Sequence, residues 1–509
     1  MSDLCEADSL FALLLAGDEG APALLAPERP ALTRGGLAQQ VRRVGSALAA
    51  RGIAAGDRVA IVLPNGPEMA AAFLGVASHA SAAPLNPAYR AEEFAFYLDD
   101  LDARAIVLAE GVDSPVRALA AARGLPLLEL AVPQGAAAGV FELAGKGSAA
   151  ERGRPAGAED EALVLHTSGT TSRPKVVPLM QCNLLASARH IGEVLRLGPG
   201  DRCLNIMPLF HIHGLIAAVL SSLGAGGSVV CTPGFNALKF MGWLAGDQAS
   251  WYTAVPTMHQ AILARADRQP EAARAAALRF IRSSSSSLPP QVMLALEATF
   301  GCPVIESYGM TEAAHQMTSN QLPPGQRKPG SVGVPAGPQV RVLDDDWRSL
   351  PTGAVGEVAI KGPNVTPGYQ ANPEANRQSF RDGWFRTGDQ GTFDADGFLT
   401  ITGRLKEIIN RGGEKISPRE VDEVLLDHPA VGQAVTFALP HPKLGEEVAA
   451  AIVLREGQEA DEQALRAFAA ERLADFKVPR RWVFLEEIPK GPTGKLQRIG
   501  LARQLGLAE

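Results

Sequence analysis

A polar segment that directly follows a short apolar run most constrains how this chain folds. The apolar run is residues 162–165 and the polar segment is residues 166–175. A run of this kind predicts a buried strand, and the segment is then the loop at its carboxyl end, where open α/β sheets bind ligands. Hydroxyl groups and backbone amides with little side-chain bulk suit phosphate oxygens. The segment therefore predicts a phosphate-binding loop, to which Lys175 adds a positive charge, with an exposed polar turn as the alternative.

The segment is not a P-loop of the Gly-x-x-x-x-Gly-Lys-Ser/Thr type, because no glycine follows Gly169 at that spacing and Lys175 precedes Val176. It resembles the phosphate loop of the adenylate-forming ligase superfamily, which includes acyl-CoA synthetases, luciferases and peptide-synthetase adenylation domains. That family usually carries glycine at the positions of Ser172 and Val176. The resemblance implies that ATP is bound by Thr167, Ser168, Gly169, Thr170, Thr171 and Lys175.

Helical and strand-like patterns alternate in the first part of the chain. A helical pattern is followed by apolar runs at residues 58–63, 105–108 and 127–132. Such alternation predicts an α/β fold with a doubly wound parallel sheet covered by helices on both faces. Residues 135–158 are rich in Ala and Gly and predict a loop. A chain of 509 residues exceeds what one core supports, so we expect at least two domains.

The charge and cysteine content exclude several classes of protein. The net charge of −7 argues against a general surface for nucleic acid or anionic membrane, so anionic substrates need a few local cations. No run approaches the roughly 20 apolar residues of a membrane span. The five cysteines are scattered, which predicts no disulfide framework or zinc knuckle and favours a cytoplasmic compartment. Nothing in the sequence specifies an oligomeric state.

Two histidines, His211 and His213, lie two residues apart in an apolar stretch. They would project to one side of an extended segment but diverge on a helix. A metal site would need a third ligand, which the sequence does not nominate. His211 matches the histidine that, in the family, lies in the acyl pocket or gates the thiol tunnel, and His213 is its neighbour.

Five consecutive serines, residues 283–287, lie between a strand-like run and an amphipathic helical pattern. A flexible linker at this point would divide the sheet, so we predict a serine-lined turn. Ser287 is then the expected helix cap, with the helix amino terminus facing an anion. Arg279 and Arg282 are three apart on the preceding strand and face opposite ways, so we expect at most one of them to reach a ligand.

Later motifs follow the order of the same family. By resemblance, Tyr308 stacks on adenine, Thr311 contacts phosphate and Glu312 binds magnesium; a flat ring, a hydroxyl and a hard oxygen ligand suit these roles. Asp389 is implied to accept hydrogen bonds from both ribose hydroxyls, and Arg404 resembles the ribose-binding arginine.

The domain boundary is expected within residues 403–418. Residues 1–405 form the predicted ATP- and acyl-binding domain, and residues 406–509 a small α+β lid with its hinge near Lys406. A helix is predicted to begin at Pro418, with Ser417 and Glu420 as a capping box. By resemblance, the turn at Gly412 and Gly413 serves the coenzyme A half-reaction, and Lys495 matches the lid lysine of the family.

The resemblance implies an AMP-forming carboxylate–CoA ligase that uses ATP, Mg²⁺ and coenzyme A. A carboxylate attacks the α-phosphorus of ATP, pyrophosphate leaves, and the thiol then displaces AMP from the acyl-adenylate. The residues expected to take part in catalysis are Lys495, Glu312, Thr311 and His211. A carrier-protein-loading adenylation domain is the alternative class, because it shares the first half-reaction.

The serine turn and residues 210–214, 308–315 and 410–418 look most like the oxalate-CoA ligases. The second carboxylate of such an acid must be hydrogen-bonded or paired. We therefore expect Ser285, Ser287 and His211 or His213 in the acyl pocket. Malonate, or another short or medium-chain acid, is the alternative substrate.

Overall fold

The computed structural model describes residues 7–144, 154–167, 174–490 and 496–508. The first described elements are α1 (Leu10–Leu15), β1 (Pro22–Leu25), β2 (Leu32–Thr33), α2 (Arg34–Ala49), β3 (Arg58–Val62), α3 (Pro67–Ala77), β4 (Ser81–Pro84), α4 (Ala91–Leu101), β5 (Ala105–Ala109), α5 (Val116–Arg123), β6 (Leu127–Ala131), β7 (Glu142–Ala144), β8 (Glu161–His166), β9 (Val176–Met180) and α6 (Gln181–Val194). The apolar runs at residues 58–63, 105–108 and 127–132 are the strands β3, β5 and β6, and the helical pattern before them is α2, so these predictions are confirmed.

One sheet of this region runs β7-β6-β5-β3-β4-β8-β9 among the described strands. Its inner pairs are parallel, whereas β7 and β9 join its edges in the antiparallel direction. Strands β3, β4, β5 and β8 are almost wholly buried because both faces are covered, which explains their apolar runs. Strand β7 lies inside residues 135–158, so the prediction that this stretch is only a loop was wrong.

The next elements are β10 (Arg202–Asn205), a π-helix (His213–Leu220), α7 (Ser221–Gly224), β11 (Ser228–Cys231), α8 (Ala237–Gly246), β12 (Trp251–Ala254), α9 (Pro256–Ala266), α10 (Pro270–Ala275), β13 (Phe280–Ser283), α11 (Pro290–Phe300), β14 (Val304–Met310), a 3₁₀ turn (Thr311–Ala313), β15 (His315–Ser319) and β16 (Val334–Pro335). The described strands form a second sheet in the order β16-β15-β14-β13-β12-β10-β11-β1-β2. Strands β12, β13 and β14 are parallel neighbours, so their carboxyl ends meet at one edge.

A third sheet follows, with β17 (Gln339–Leu343), β18 (Gly356–Lys361), α12 (Pro373–Ser379), β19 (Phe380–Arg381), β20 (Trp384–Phe393) and β21 (Leu399–Arg404). Its strand pairs are antiparallel. The parallel sheet predicted from the alternation in the first part of the chain does not extend to these strands. The difference arises because short turns, such as the one between β20 and β21, allow only antiparallel pairing.

The last elements are a 3₁₀ turn (Leu405–Glu407), β22 (Ile409–Arg411), β23 (Glu414–Ile416), α13 (Pro418–Leu426), β24 (Val431–His441), β25 (Gly445–Leu454), α14 (Glu462–Ala470), a 3₁₀ turn (Asp475–Lys477), β26 (Arg481–Phe484) and α15 (Leu501–Gln504). These strands form a separate mixed sheet with its own apolar core against α13 and α14. No helix of the described chain combines the length and apolar character that a membrane crossing needs.

Two predicted helix caps are wrong. Helix α11 begins at Pro290 after Pro289, and neither proline has the N–H that a Ser287 cap would bond, so the turn cannot use it. Helix α13 begins at Pro418 as predicted, but the Ser417 hydroxyl donates to the carbonyl of Thr402 instead of capping the helix. The Glu420 carboxylate pairs with Lys477 at 2.6 Å, so no capping box forms.

Candidate active site

The polar segment connects β8 and β9, which are antiparallel, so it is a hairpin loop at the carboxyl end of the buried strand β8. The base of the loop is closed by two hydrogen bonds. The Thr167 amide donates to the Lys175 carbonyl at 2.9 Å, and the Lys175 amide donates to Thr167 Oγ1 at 3.3 Å. The predicted ligands Ser168, Gly169, Thr170 and Thr171 lie outside the described residues. Thr167 and Lys175 therefore mark where the loop meets the rest of the site.

The side chains of Lys175 and Glu312 both contact Tyr369, a residue for which the sequence predicted no role. The Tyr369 hydroxyl donates to Glu312 Oε1 at 2.8 Å, and Lys175 Nζ lies 4.0 Å from the centre of the Tyr369 ring. Glu312 is buried in a 3₁₀ turn directly after β14, and burial raises its pKa. No local motif identifies Tyr369, because it lies far from Glu312 in sequence.

Several charges converge on this cluster. Burial lowers the pKa of the Lys175 ammonium, the Glu312 carboxylate opposes that shift, and the charges of Lys406 and Arg404 add to it. Lys406 lies in the exposed 3₁₀ turn after β21. The positive charges of Lys175 and Arg404 in turn oppose the rise in the pKa of Glu312, so this carboxylate lies within the electrostatic reach of both cations.

Tyr308, Asp389 and Arg404 form a second cluster. The Tyr308 hydroxyl donates to Asp389 Oδ2 at 2.5 Å, and Arg404 Nε lies 3.1 Å from Asp389 Oδ1. Asp389 and Arg404 are direct partners across β20 and β21, which explains the contact. Burial, and then the neighbouring carboxylate of Asp389, raise the pKa of the Tyr308 hydroxyl. A ribose would have to share the carboxylate with both groups.

The two histidines face different surroundings, because His213 begins the π-helix while His211 precedes it. His213 is fully buried, with Nδ1 3.0 Å from Ser285 Oγ and Nε2 2.6 Å from Thr253 Oγ1. The ring centre of His315 lies 5.0 Å from that of His213. This buried polar cluster, Thr253–His213–Ser285–His315, contains two residues, Thr253 and His315, that the sequence analysis did not select.

His211 and Thr311 lie on a cavity instead. The cavity is lined by Pro84, Leu85, Asn86, Tyr89, Tyr97, Leu165, His166, Phe210, His211 and Thr311. The structure therefore places the predicted phosphate-contacting Thr311 and the predicted acyl or thiol histidine on the same cavity. Ser287 lies in the same turn as Ser285 and is half-buried.

Ser285 has a left-handed backbone conformation, with φ of 72°. A residue other than glycine is rarely held there unless its surroundings enforce it, and such strain is concentrated at functional sites. In this conformation the Ser285 hydroxyl contacts His213.

Gly412 and Gly413 form the turn between β22 and β23, with φ of 62° and 99°. Both values are in the left-handed region that favours glycine. The Gly413 amide donates to Asn410 Oδ1 at 3.2 Å. Lys495 lies outside the described residues, which resume at Leu496 with an antiparallel bridge to Lys490.

The family model of the AMP-binding enzyme matches residues 15–370, and that of the AMP-binding enzyme C-terminal domain matches residues 420–495. The chain belongs to the AMP-binding enzyme family. It is an AMP-forming acid–thiol ligase of the adenylate-forming superfamily, and ATP and coenzyme A are its co-substrates.

Among the relatives of this AMP-binding enzyme is the oxalate–CoA ligase of Arabidopsis thaliana, 46% identical over 474 residues, 92% of each chain. The sulfoacetate–CoA ligase of Cupriavidus necator is 40% identical over 483 residues, 94% of each chain. The crystal structure of ATP-bound MatB from Rhodopseudomonas palustris superposes with a TM-score of 0.89 at 30% identity, covering 98% of this chain and 99% of that one. The predicted two-part α/β fold is confirmed.

The predicted ribose role of Asp389 is tested by Asp389→Asn: a residue with that role would lose a charge-assisted hydrogen bond, so the KM for ATP should rise about tenfold or more. Asn keeps the shape of the side chain and can still accept from Tyr308. The KM for the acid should change little. Steady-state kinetics with ATP as the varied substrate measures the effect.

The matched control is Glu357→Gln on the neighbouring strand β18. Like Asp389, the Glu357 carboxylate pairs with an arginine, Arg386, at 3.4 Å. It also accepts a hydrogen bond from the Gly388 amide. Its loss should leave the KM for ATP near the wild-type value. An equal rise of this KM in both variants would contradict the ribose role of Asp389.

Proposed function

We propose that the acid substrate of this ligase is oxalate, activated as an acyl-adenylate and transferred to coenzyme A. The observation that carries the proposal is the hydrogen bond between the buried His213 and the half-buried Ser285 at the serine turn. This pair supports a small polar acid, because an alkyl chain gains less from contact with a hydroxyl and an imidazole than from contact with apolar walls. An oxalate carboxylate instead offers them acceptors.

Relatives support the same chemistry. The acids named for the two relatives described above, oxalate and sulfoacetate, each carry a second acidic group besides the carboxylate. The acyl pocket that we propose comprises His211, His213, Ser285 and Ser287, with Thr253 and His315 as further members of the buried cluster. Malonate and sulfoacetate are the neighbouring substrates to test, since they differ from oxalate in length or in the second acid.

For the nucleotide, we infer that the phosphates lie between the β8–β9 loop and Thr311, with adenine against Tyr308 and the ribose on Asp389 and Arg404. The phosphate-loop ligands are Thr167, Ser168, Gly169, Thr170, Thr171 and Lys175. Lys495 supplies the charge that adenylation needs. The roles of Tyr308 and Asp389 are consistent with their direct hydrogen bond, which lets one ligand contact both.

Magnesium fits Glu312. The described residues hold no cluster of three His, Cys, Asp or Glu side chains that could bind a metal by themselves. Mg²⁺ usually needs only one or two carboxylates beside substrate phosphates and water, so a single buried carboxylate is sufficient. Glu312 would hold the ion, whose charge offsets that of the phosphates.

We further infer that residues 1–405 and 406–509 are the two functional domains, with a hinge at Lys406. The thiol half-reaction would use Gly412 and Gly413, whose lack of side chains leaves room for the pantetheine arm. We place the enzyme in the cytoplasm with small-molecule partners, since the described cysteines, Cys182, Cys203, Cys231 and Cys302, are free thiols.

The test is coenzyme A-dependent AMP release from ATP with oxalate, malonate, sulfoacetate, acetate, octanoate and 4-coumarate. We expect kcat/KM for oxalate to exceed that for each monocarboxylate about a hundredfold or more, since polar pockets discriminate strongly. Activity confined to monocarboxylates would overturn the assignment of the acid. A preference for malonate or sulfoacetate would retain the second acidic group but reject oxalate.

A further inference from the structure

Arg282, on β13, is a buried cation whose charge no described residue balances. Its side chain has no exposed surface. Nη2 donates to Gln316 Oε1 at 3.2 Å and lies 3.4 Å from His315 Nδ1, and neither partner is a carboxylate. Within the described chain, no carboxylate lies within ion-pair distance, and Nε and Nη1 have no hydrogen-bond acceptor. A fork-shaped group with five N–H donors is therefore largely unused.

The burial of Arg282 without an opposite charge lowers the stability of the fold. A buried charge without an opposite charge is strongly destabilising unless something else compensates it. Burial lowers the pKa of Arg282 to about 9, which still leaves the guanidinium charged at neutral pH. Such a group suggests a function that needs the charge.

A second buried arginine shows what a structural role looks like. Arg34 is also buried, but Nη1 and Nη2 each donate to the Leu223 carbonyl at 3.1 Å and Nε donates to the Ala16 carbonyl at 3.3 Å. All three nitrogens of Arg34 are thus used, and Leu223 lies in the last turn of a helix, where carbonyls need donors. Arg282 contacts no backbone carbonyl in this way.

The position of Arg282 connects it to the acyl pocket proposed above. Arg282 and Thr253 are direct partners across β13 and β12, so their side chains lie on the same face of the sheet. Thr253 contacts His213, and His315 lies between Arg282 and His213. The guanidinium therefore lies beside the imidazole of His315, whose ring contacts that of His213.

The other arginine of this segment is already neutralised. Arg279 binds Asp201 with both Nε at 2.9 Å and Nη2 at 2.8 Å. Of the two arginines, Arg282 is therefore the one with an uncompensated charge.

We propose that Arg282 is the specificity-determining residue that provides the buried positive charge for the second acidic group of the substrate. It acts on that group across, or together with, the imidazoles of His213 and His315. This inference rests on the proposed function, because it assumes an acid with a second negative group. A monocarboxylate would leave the Arg282 charge unbalanced and so be disfavoured.

The experiment compares Arg282→Met, Arg282→Lys and Arg34→Met with the wild type. For each, kcat/KM is measured for oxalate and for the best monocarboxylate of the acid panel, together with the KM for ATP and the Tm. In Arg282→Met, we expect kcat/KM for oxalate to fall about a hundredfold, as for loss of one partner of a buried charge pair. The monocarboxylate should lose at most about fivefold.

The decisive comparison is between a variant that keeps the positive charge and one that loses it, because a purely structural role would not make the substrate preference depend on this charge. Arg282→Lys should recover most of the ratio of oxalate to monocarboxylate activity, although a lysine fits the site less well. Arg34→Met should lower the Tm and leave that ratio unchanged. If Arg282→Met does not fold, Arg282→Gln replaces it as the uncharged variant, and the comparison with Arg282→Lys is the same.

Two failures are distinguishable. If the wild type uses no acid with a second acidic group, the proposed function and the role of Arg282 both fail. If it prefers malonate or sulfoacetate, only oxalate is rejected, and the variants are compared on that acid instead. If the wild type uses oxalate but the uncharged variant loses both acids by the same factor, or Arg282→Lys behaves like the uncharged variant, only the role of Arg282 is overturned.

Discussion

Lys495→Ala should slow formation of the acyl-adenylate about a hundredfold or more while sparing transfer of a preformed adenylate to coenzyme A. Adenylation brings a carboxylate against the α-phosphate, so two anions must approach each other. One positive charge about 4 Å from one negative charge contributes roughly 4 kcal/mol at an effective dielectric constant of about 20. The second half-reaction expels AMP through attack by a thiol and does not bring two anions together in this way.

The two half-reactions are measured separately. Exchange of labelled pyrophosphate into ATP reports adenylation, and the reaction of a synthetic acyl-adenylate with coenzyme A reports thioester formation. Lys490→Ala is the matched control, because Lys490 is a neighbouring lysine whose Nζ already pairs with Glu487 at 2.7 Å. It should leave both half-reactions close to wild type. Equal losses of both half-reactions in Lys495→Ala would refute the assigned role.

Local patterns predicted the elements that carry the site. The apolar runs before residues 166, 284 and 311 are the strands β8, β13 and β14, and each opens into a polar segment as expected. These predictions succeed because a buried strand has an unbroken apolar run and its end is marked by a change to polar residues. The order of the motifs then identified the superfamily, which the family models confirm.

Pairings between distant residues were not predictable in the same way. Tyr369 contacts Glu312 and Thr253 contacts His213 only because β18, β12 and their loops fold beside the site. An isolated tyrosine or threonine has no local pattern that marks such a contact. His315 was visible as the last residue of the run 308–315, but its ring contact with His213 depends on the turn between β14 and β15.

Caps failed for a related reason. A cap motif describes which side chain can satisfy the first amides of a helix, whereas the folded chain can offer that side chain a different partner. Ser417 bonds the carbonyl of Thr402 on β21, thereby tying the first helix of the expected lid to the last strand before the expected hinge. The Ser417 hydroxyl thus connects α13 to β21 and does not cap the helix.

Glu312→Gln should reduce the rate of adenylation about a hundredfold or more and raise the magnesium concentration needed for half-maximal activity, because a neutral amide is a much weaker ligand for a hard cation. Gln keeps the size of the side chain and its oxygen can still accept from Tyr369. Burial raises the pKa of Glu312. As the pH is lowered, the wild type should therefore begin to lose activity at a higher pH than an ordinary carboxylate would give. Glu312→Gln should lack this limb.

Stability provides an independent readout for Glu312. With a pKa higher in the folded than in the unfolded chain, this carboxyl favours folding below its unfolded pKa, and that contribution is lost as the pH rises through its folded pKa. At neutral pH the ionised group is therefore a cost, and Glu312→Gln should have a Tm equal to or above that of the wild type. Tyr369→Phe is the control: it removes the 2.8 Å hydrogen bond but keeps the carboxylate, so adenylation should slow less than about tenfold. A lower Tm in Glu312→Gln together with an unchanged magnesium requirement would make Glu312 a structural residue. A residue retained for catalysis should instead lose activity without losing stability when it is replaced.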